Sequence, residues 1–307
     1  MKYRCLGKTD LRVSVIGIGT WQLGGEWGKT FEQSEVDAML AQAAELGVNL
    51  IDTAECYGDH LSEELIGRAI KDRRDDWIIA TKFGHAFKES FGRDMLFEPE
   101  HVREQLERSL KALQTDYIDL YQFHSGNDEM FDTPGLWDML QEQVDAGKVR
   151  HLGISVSKTQ GSLYQVDKAS EVEAEAIQVF YNRIHRKPEE QMFDSSLRQD
   201  LGVLARVPLA SGYLSGKYDK GATFGGTDVR SVWQDGDEKR EIIEQVDKLK
   251  SEVPEGVPMA QWALAWCLQH PAVTCVIPGC KTVQQVASNA RAADLEMVKR
   301  DHPQAVS

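Results

Sequence analysis

The chain has 307 residues, with 35 Lys and Arg against 49 Asp and Glu, for a formal charge of −14. A surface this acidic repels nucleic acid and anionic bilayers, so any polyanionic ligand needs a local cationic pocket. Five cysteines without CxxC spacing argue against a disulfide framework and a zinc motif, and for free thiols in a reducing compartment.

The start, "MKYRCLGKTDLRV", lacks an apolar core and does not read as a signal peptide. Its continuation, "YRCLGKTDLRVS", reads as two short strands around a Gly-Lys-Thr-Asp turn. Eight short apolar runs follow: "VSVIGIG", "VNLID", "WIIATKF", "YIDLYQFH", "VRHLGIS", "AIQVFY", "GVLARVP" and "VTCVIPG". Runs apolar on both faces suit parallel strands covered by helices. Between the first two runs, Val36, Met39, Leu40, Ala43 and Leu46 hold helical spacing, and Gly47 supplies the stop. Val102, Leu106, Leu110 and Leu113 repeat the pattern behind Pro99, which suits a first helical position. Ile242, Ile243, Val246 and Leu249 mark a later helix. The longest apolar stretch, "WALAWCLQHPAVTCVIPG", is interrupted by Gln269, His270 and Pro271, too soon to span a bilayer. A cytoplasmic protein is expected.

Eight strands alternating with helices predict one α/β domain over 1–307: a (β/α)8 TIM barrel, plugged below by the N-terminal hairpin, with extra C-terminal helices. A doubly wound open sheet is the rival fold. "GIGTWQLGG" carries glycines, but no helix starts at the spacing that a dinucleotide fingerprint requires.

In such barrels chemistry sits at the C-terminal strand ends. The second strand ends in Asp52, and its loop carries Tyr57; the third ends in Lys82 and the fourth in His124. Singly, each has an ordinary reading: a turn cap, a rim aromatic, a lysine reaching for water, a buried histidine. Together at adjacent strand ends they form a set suited to proton transfer by a phenol. A free tyrosine has a pKa of about 10, and a nearby ammonium is expected to lower it. A carboxylate would aim the ammonium, and a histidine would orient the substrate oxygen. Reduction of a carbonyl by hydride has this need, with the hydride supplied by a cofactor. No metal is expected.

With those residues in place, "LGKTDLRVSVIGIGTW", "NLIDTAECYG", "SEELIGRAI", "IIATKFG", "PLASGYLSGKY" and "VIPGCKTVQQVASN" make the chain resemble the aldo-keto reductase superfamily over nearly its whole length. The resemblance implies a barrel that binds NADP(H) in extended form. It implies Tyr57 as general acid, Lys82 and Asp52 as its support, and His124 as orienter of a small-molecule carbonyl, with Trp21 lining the same mouth. Cofactor positions carried over are Gly19, Thr20, Trp21, Asp52, Ser155, Gln178, Arg206, Leu209, Ser211, Gly212, Leu214, Lys217, Gly279, Lys281, Gln285 and Asn289. Ser155 and Gln178 would meet the carboxamide, and Arg206 would lie against the nicotinamide. Residues from Leu209 to Lys217 would follow the pyrophosphate through backbone amides and one charge. Lys281 would meet the 2′-phosphate.

The chain departs from the family pattern at Val156, where an asparagine is usual, and at Ser288, where an acid is usual. Substrate choice falls to the loops "GHAFKESFGRDMLF", "HSGNDEMFDTP" and "YDKGATFGGTDVRSVWQ". Cys56 reads as a bland neighbour of Tyr57. Two other classes remain: a regulatory partner like the voltage-gated potassium channel β subunits, which share the fold and cofactor site, and a cofactor-free barrel isomerase. The isomerase would not need the "IPGCKTVQQVASN" tail. The four intact site residues favour an enzyme.

Overall fold

In the computed structural model the described residues are 1–88, 91–158, 163–219, 221–233 and 236–306, Trp233 by its backbone alone. Strands β1 (Tyr3–Cys5) and β2 (Arg12–Ser14) form the expected hairpin. The barrel strands begin with β3 (Ile18–Gly19), β4 (Leu50–Asp52) and β5 (Ile78–Phe83). A ribbon of β6 (His85–Phe87) and β7 (Arg93–Met95) interrupts them. They resume with β8 (Ile118–His124), β9 (Val149–Ser155), β10 (Ala174–Phe180), β11 (Gly202–Arg206) and β12 (Cys275–Ile277).

These eight barrel strands pair in chain order, and the pairs are parallel. Parallel bridges Ile16–Val276 and Gly19–Gly279 bring the first strand against the last. Gly19 is needed there: a Cβ on it would stand 2.7 Å from the Ile277 carbonyl oxygen. Each of the eight predicted runs supplies one barrel strand.

The hairpin closes the lower end, as expected. Leu6, Leu11 and Val13 pack with Leu50, Ala80, Leu120, Ala176, Leu204 and Cys275 in a buried layer inside the strands. Sequence reading missed that β13 (Ala305–Val306) pairs with β1, because two residues carry no alternation to read.

Helices cover the outer faces. In Pro99–Leu113 the predicted stripe of Val102, Leu106, Leu110 and Leu113 is buried, and Gln114 closes the helix at φ 54°. The helix Val283–Ala290 starts at Thr282, whose side chain accepts from the Gln285 amide at 3.2 Å. Such a cap satisfies a donor that the first turn leaves unpaired. Extra helices toward the C-terminus, Gly236–Leu249 and Met259–Leu268, pack around Tyr213 and Leu214.

The ribbon β6–β7 was expected as loop. Gly84 turns the chain out of β5 into it at φ 107°; a Cβ there would meet the Phe97 ring at 2.0 Å. Residues 89–90 of that predicted loop lie outside the described residues.

Candidate active site

Asp52 ends β4, Lys82 lies one residue before the end of β5, and His124 ends β8. The pleat turns Lys82 inward: its side chain is fully buried, and Nζ donates to Asp52 Oδ1 at 2.9 Å and to the Thr53 carbonyl at 2.5 Å. Asp52 Oδ2 accepts from Gln178 Nε2 at 2.6 Å and Gln122 Nε2 at 3.4 Å. These donors surround a carboxylate that is only 3% exposed, and they offset its desolvation.

Tyr57 stands above this group on a tight loop. The Cβ of a residue replacing Gly24 would stand 2.6 Å from the Tyr57 carbonyl carbon, so close packing fixes where the phenol sits. Its ring lies 5.2 Å from Lys82 Nζ, stacks on Trp21 at 5.9 Å, and meets the His124 ring edge-on at 6.3 Å. The fold thus brings together the four residues singled out from sequence, with Trp21 beside them.

The electrostatics correct one expectation. The lysine was expected to lower the phenol's pKa. Burial instead pushes the Tyr57 phenol well above its ordinary value, and the Asp52 charge pushes the same way, against Arg206. Lys82 turns its donors to Asp52 and Thr53, so Tyr57 is held as the neutral, proton-carrying phenol. Burial, with help from Lys82, Arg206 and Arg93, also holds His124 well below the usual histidine range. The imidazole is neutral.

From Tyr57 and His124 a cavity of about 860 Å³ runs to Lys281, Gln285 and Asn289. Gly19, Thr20, Trp21, Asp52, Gln178, Arg206, Leu209, Ser211, Gly212, Lys217 and Gly279 also line it. Three predicted residues do not. Lys82 lies behind Asp52. Ser155 is buried, and its Oγ has no hydrogen-bond partner among the described residues. The Leu214 side chain joins the core cluster of Tyr213, Ile243 and Val246.

Backbone geometry changes the picture at the loop 209–217. The amides of Gly212 and Leu214 donate to the Leu209 carbonyl at 2.9 and 3.1 Å, so the loop's own turn takes donors expected to face a pyrophosphate. Gln178 likewise directs its amide nitrogen to Asp52 and to Gln122. Val156, in place of the usual asparagine, is buried, and its carbonyl accepts from Arg206 Nη2 at 3.1 Å. Arg206 rests 5.6 Å from the Phe180 ring, its Nε buried without a partner, and no carboxylate among the described residues pairs with it.

The cavity wall holds charged residues that sequence reading missed. Arg93 of the ribbon donates to Glu26 at 2.6 Å, and Glu26 accepts from Trp21 Nε1 at 2.7 Å. Val229 N donates to Glu26 O at 2.9 Å, and Trp27 bridges Asp228, joining two loops across one wall. Arg230 pairs with Asp228 at 2.7 Å and stacks 3.8 Å from the Phe224 ring centroid. Lys281 Nζ donates to the Trp27 carbonyl. No sequence signal pairs Arg93 with Glu26 or Lys281 with Trp27, because these partners lie in loops far apart in the chain. Of the three predicted substrate loops, one supplies His85, Phe91 and Arg93, one Ser125, and one Tyr218 and Arg230 to the wall; residues 220 and 234 of the last lie outside the described residues.

A barrel with a buried acid–lysine pair, a phenol and a neutral imidazole at its mouth defines a class of oxidoreductase. Residues 15–306 match the Aldo/keto reductase family, and the chain belongs to that family of enzymes acting on carbonyl and alcohol groups with nicotinamide cofactors. Among curated relatives it is 34% identical over 298 residues to Aldo-keto reductase YhdN of Bacillus subtilis, covering 93% of this chain and 87% of the relative. It is 30% identical to a probable voltage-gated potassium channel subunit beta of Arabidopsis thaliana, over 96% of this chain and 92% of the relative. It is 28% identical to the NADH-specific methylglyoxal reductase of Escherichia coli, over 98% and 96%. Among solved structures, the holo form of aldo-keto reductase AKR11C1 from Bacillus halodurans is similar at TM-score 0.80 and 28% identity, over 100% of this chain and 98% of that one. The glycerol dehydrogenase AKR11B4 from Gluconobacter oxydans is similar at 0.82 and 26%, over 100% and 97%. Among the described residues no helix is long and apolar enough to cross a membrane.

Proposed function

We propose that this chain reduces aldehyde, ketone or sugar-type carbonyls to alcohols with NADP(H), Tyr57 supplying the proton. The observation that carries the reading is the buried Asp52–Lys82 pair beneath a phenol and a neutral imidazole that share one cavity mouth.

The donor set fits a nicotinamide dinucleotide phosphate. Near the mouth lie Gln178 and Arg206; the Ser155 hydroxyl, buried outside the cavity lining, has no partner among the described residues. Lys217 and Arg230 suit a pyrophosphate, and Lys281, Gln285 and Asn289 suit the phosphorylated adenosine end. When bound, the nicotinamide supplies or accepts hydride. The residues of this chain handle the rest. Tyr57 holds a proton at its hydroxyl and delivers it to the oxygen as negative charge develops there. His124, uncharged, orients that oxygen without competing for the proton. Asp52 and Lys82 fix the floor on which Tyr57 rests. Trp21, stacked on Tyr57, lines the same mouth.

Relatives named for methylglyoxal and glycerol support a small polyfunctional substrate. Five free cysteines suit a reducing cytoplasm. A regulatory role is the second reading, favoured by the channel-subunit relative. Loss of NADPH absorbance with a panel of aldehydes, ketones and sugars separates the two. The enzyme reading predicts turnover with at least one class; NADPH binding without turnover on any of them supports the regulatory reading.

A further inference from the structure

We infer that Glu55, Cys56, His85 and His124 form a site for one zinc ion at the mouth of the cavity, and that the ion, by engaging His124, holds the reductase inactive. The inhibitory half rests on the proposed function; the binding half does not.

One ligand atom from each residue lies within 4.8 Å of all the others. His124 Nδ1 is 3.4 Å from Glu55 Oε1. Cys56 Sγ is 3.9 Å from His124 Nδ1 and 4.0 Å from His85 Nδ1. Tetrahedral zinc with bonds of about 2.0–2.3 Å separates nitrogen and oxygen ligands by about 3.4 Å, and sulfur from nitrogen by about 3.6 Å. The first pair already meets that spacing, the sulfur needs a shift of a few tenths of an ångström, and the widest pairs, within 4.8 Å, need a closure of up to about 1.4 Å. Both imidazoles place Nδ1 near the thiol; the rings are stacked, with centroids 4.3 Å apart and planes 16° apart, so one ring must rotate for both lone pairs to meet one ion.

A second observation points to a missing cation. Glu55 is only 2% exposed, and its Oε2 is buried without a hydrogen-bond partner among the described residues. Its other oxygen is fixed by the His85 amide at 2.9 Å. A buried carboxylate oxygen left unsatisfied is costly and calls for an explanation. A metal ion shared by the two carboxylate oxygens would satisfy it.

The ligand chemistry selects the ion. Two imidazoles, a thiol and a carboxylate suit zinc, whereas magnesium and calcium prefer all-oxygen sites. Each imidazole can offer a ring nitrogen lone pair to metal, and both Nδ1 atoms lie near the thiol. Binding releases the Cys56 thiol proton to solvent as the sulfur–metal bond forms. No oxidant or reductant is involved. The expectation of no metal site rested on cysteine spacing. The fold assembles this one from adjacent Glu55 and Cys56, a histidine 29 residues on and another 68 residues on, a spacing no motif describes.

The test is titration of the purified full chain with Co²⁺ as an optical stand-in for zinc. The site predicts saturation near one ion per chain, tetrahedral d–d bands and a thiolate-to-cobalt charge-transfer band. Zn²⁺ should displace the cobalt, and Mg²⁺ should not. Cys56→Ser should abolish the charge-transfer band while near-ultraviolet circular dichroism stays native. His85→Gln, a second variant in case the first misfolds, should weaken cobalt binding at least tenfold. No charge-transfer band in the wild type, or an undiminished band in folded Cys56→Ser, overturns the site. On activity, zinc should compete with the carbonyl and leave NADPH binding unchanged, and Cys56→Ser should need at least tenfold more zinc for half-inhibition. Equal zinc sensitivity of the two proteins overturns the inhibitory claim. A chain that binds cobalt as described but reduces no carbonyl refutes the proposed function and leaves the metal site standing.

Discussion

Lys82 donates to Asp52 at 2.9 Å with its own side chain fully buried, so the pair forms the sealed floor of the active site. Removing one partner of a buried pair typically costs about 3–5 kcal/mol, because the other charge stays uncompensated. Lys82→Met should fall at the lower end, since Gln178 and Gln122 still donate to Asp52. Asp52→Leu leaves a buried ammonium facing one carbonyl and should cost more. The double variant should lose less than the sum of the two, by about 0.5–3 kcal/mol. Urea unfolding of the four proteins reads this cycle; additive losses would show that the two side chains do not act as a pair.

Acid should destabilise the protein early. Burial is the first cause in holding five of the eight histidines below the ordinary value, with His85 near 3 and His185 and His302 near 4. Between those values and about 6.5 the unfolded chain binds more protons than the folded one, so stability rises with pH there and falls on acidification. Each histidine adds a slope of at most about 1.4 kcal/mol per pH unit. His151, raised by Glu175 and Asp10 despite burial, opposes this with one site. Unfolding free energy should therefore drop from pH 7 to pH 5, less steeply in His85→Gln. A flat profile over that range would contradict the linkage.

Cofactor choice should turn on Lys281, half-buried on the cavity wall. A charge-assisted contact to a phosphate contributes about 1.5–3 kcal/mol. NADPH should bind more tightly than NADH, and Lys281→Met should narrow the gap about tenfold, which is ~1.4 kcal/mol. Titration of intrinsic fluorescence reads both constants. Equal affinities in the wild type would remove the basis for NADP(H).

Arg206 should distinguish the two redox states. It lines the cavity near Tyr57 without a carboxylate partner among the described residues. Two like charges ~4 Å apart repel by about 1 kcal/mol in bulk water and about 4 kcal/mol at an effective dielectric of 20. The oxidised nicotinamide is cationic and the reduced ring is neutral. Arg206→Tyr should thus tighten NADP⁺ relative to NADPH by about tenfold. An unchanged ratio of dissociation constants would place the guanidinium away from the ring.

Asp52, Tyr57, Lys82 and His124 were legible because strand ends in a barrel converge, so a polar residue closing a buried run has a known destination. The cationic wall was legible in part: Lys217, Lys281 and Arg206 line the cavity, as read. Glu26 and Arg93 were not, because each is placed by the other across distant loops; Arg230 was not, because its pairing with Asp228 two residues earlier gives no sign that it faces a cavity. The direction of the Tyr57 shift was misread for a related reason. A lysine nearby in the barrel was taken to act on the phenol, but the depth of burial and the direction of its Nζ exist only in the folded chain. The ribbon β6–β7 escaped because its strands are three residues each and mix charge with aromatics.

The central claim is that Tyr57 gives the proton. Tyr57→Phe removes one hydroxyl and keeps the ring that stacks on Trp21, so fold and NADPH binding should be retained. General acid catalysis contributes ~10²–10⁴-fold. Single-turnover reduction of the best carbonyl from the panel, followed by NADPH absorbance, should slow by at least a hundredfold in the variant. A variant that keeps more than a tenth of the wild-type rate, with chemistry rate-limiting in both, would contradict the account.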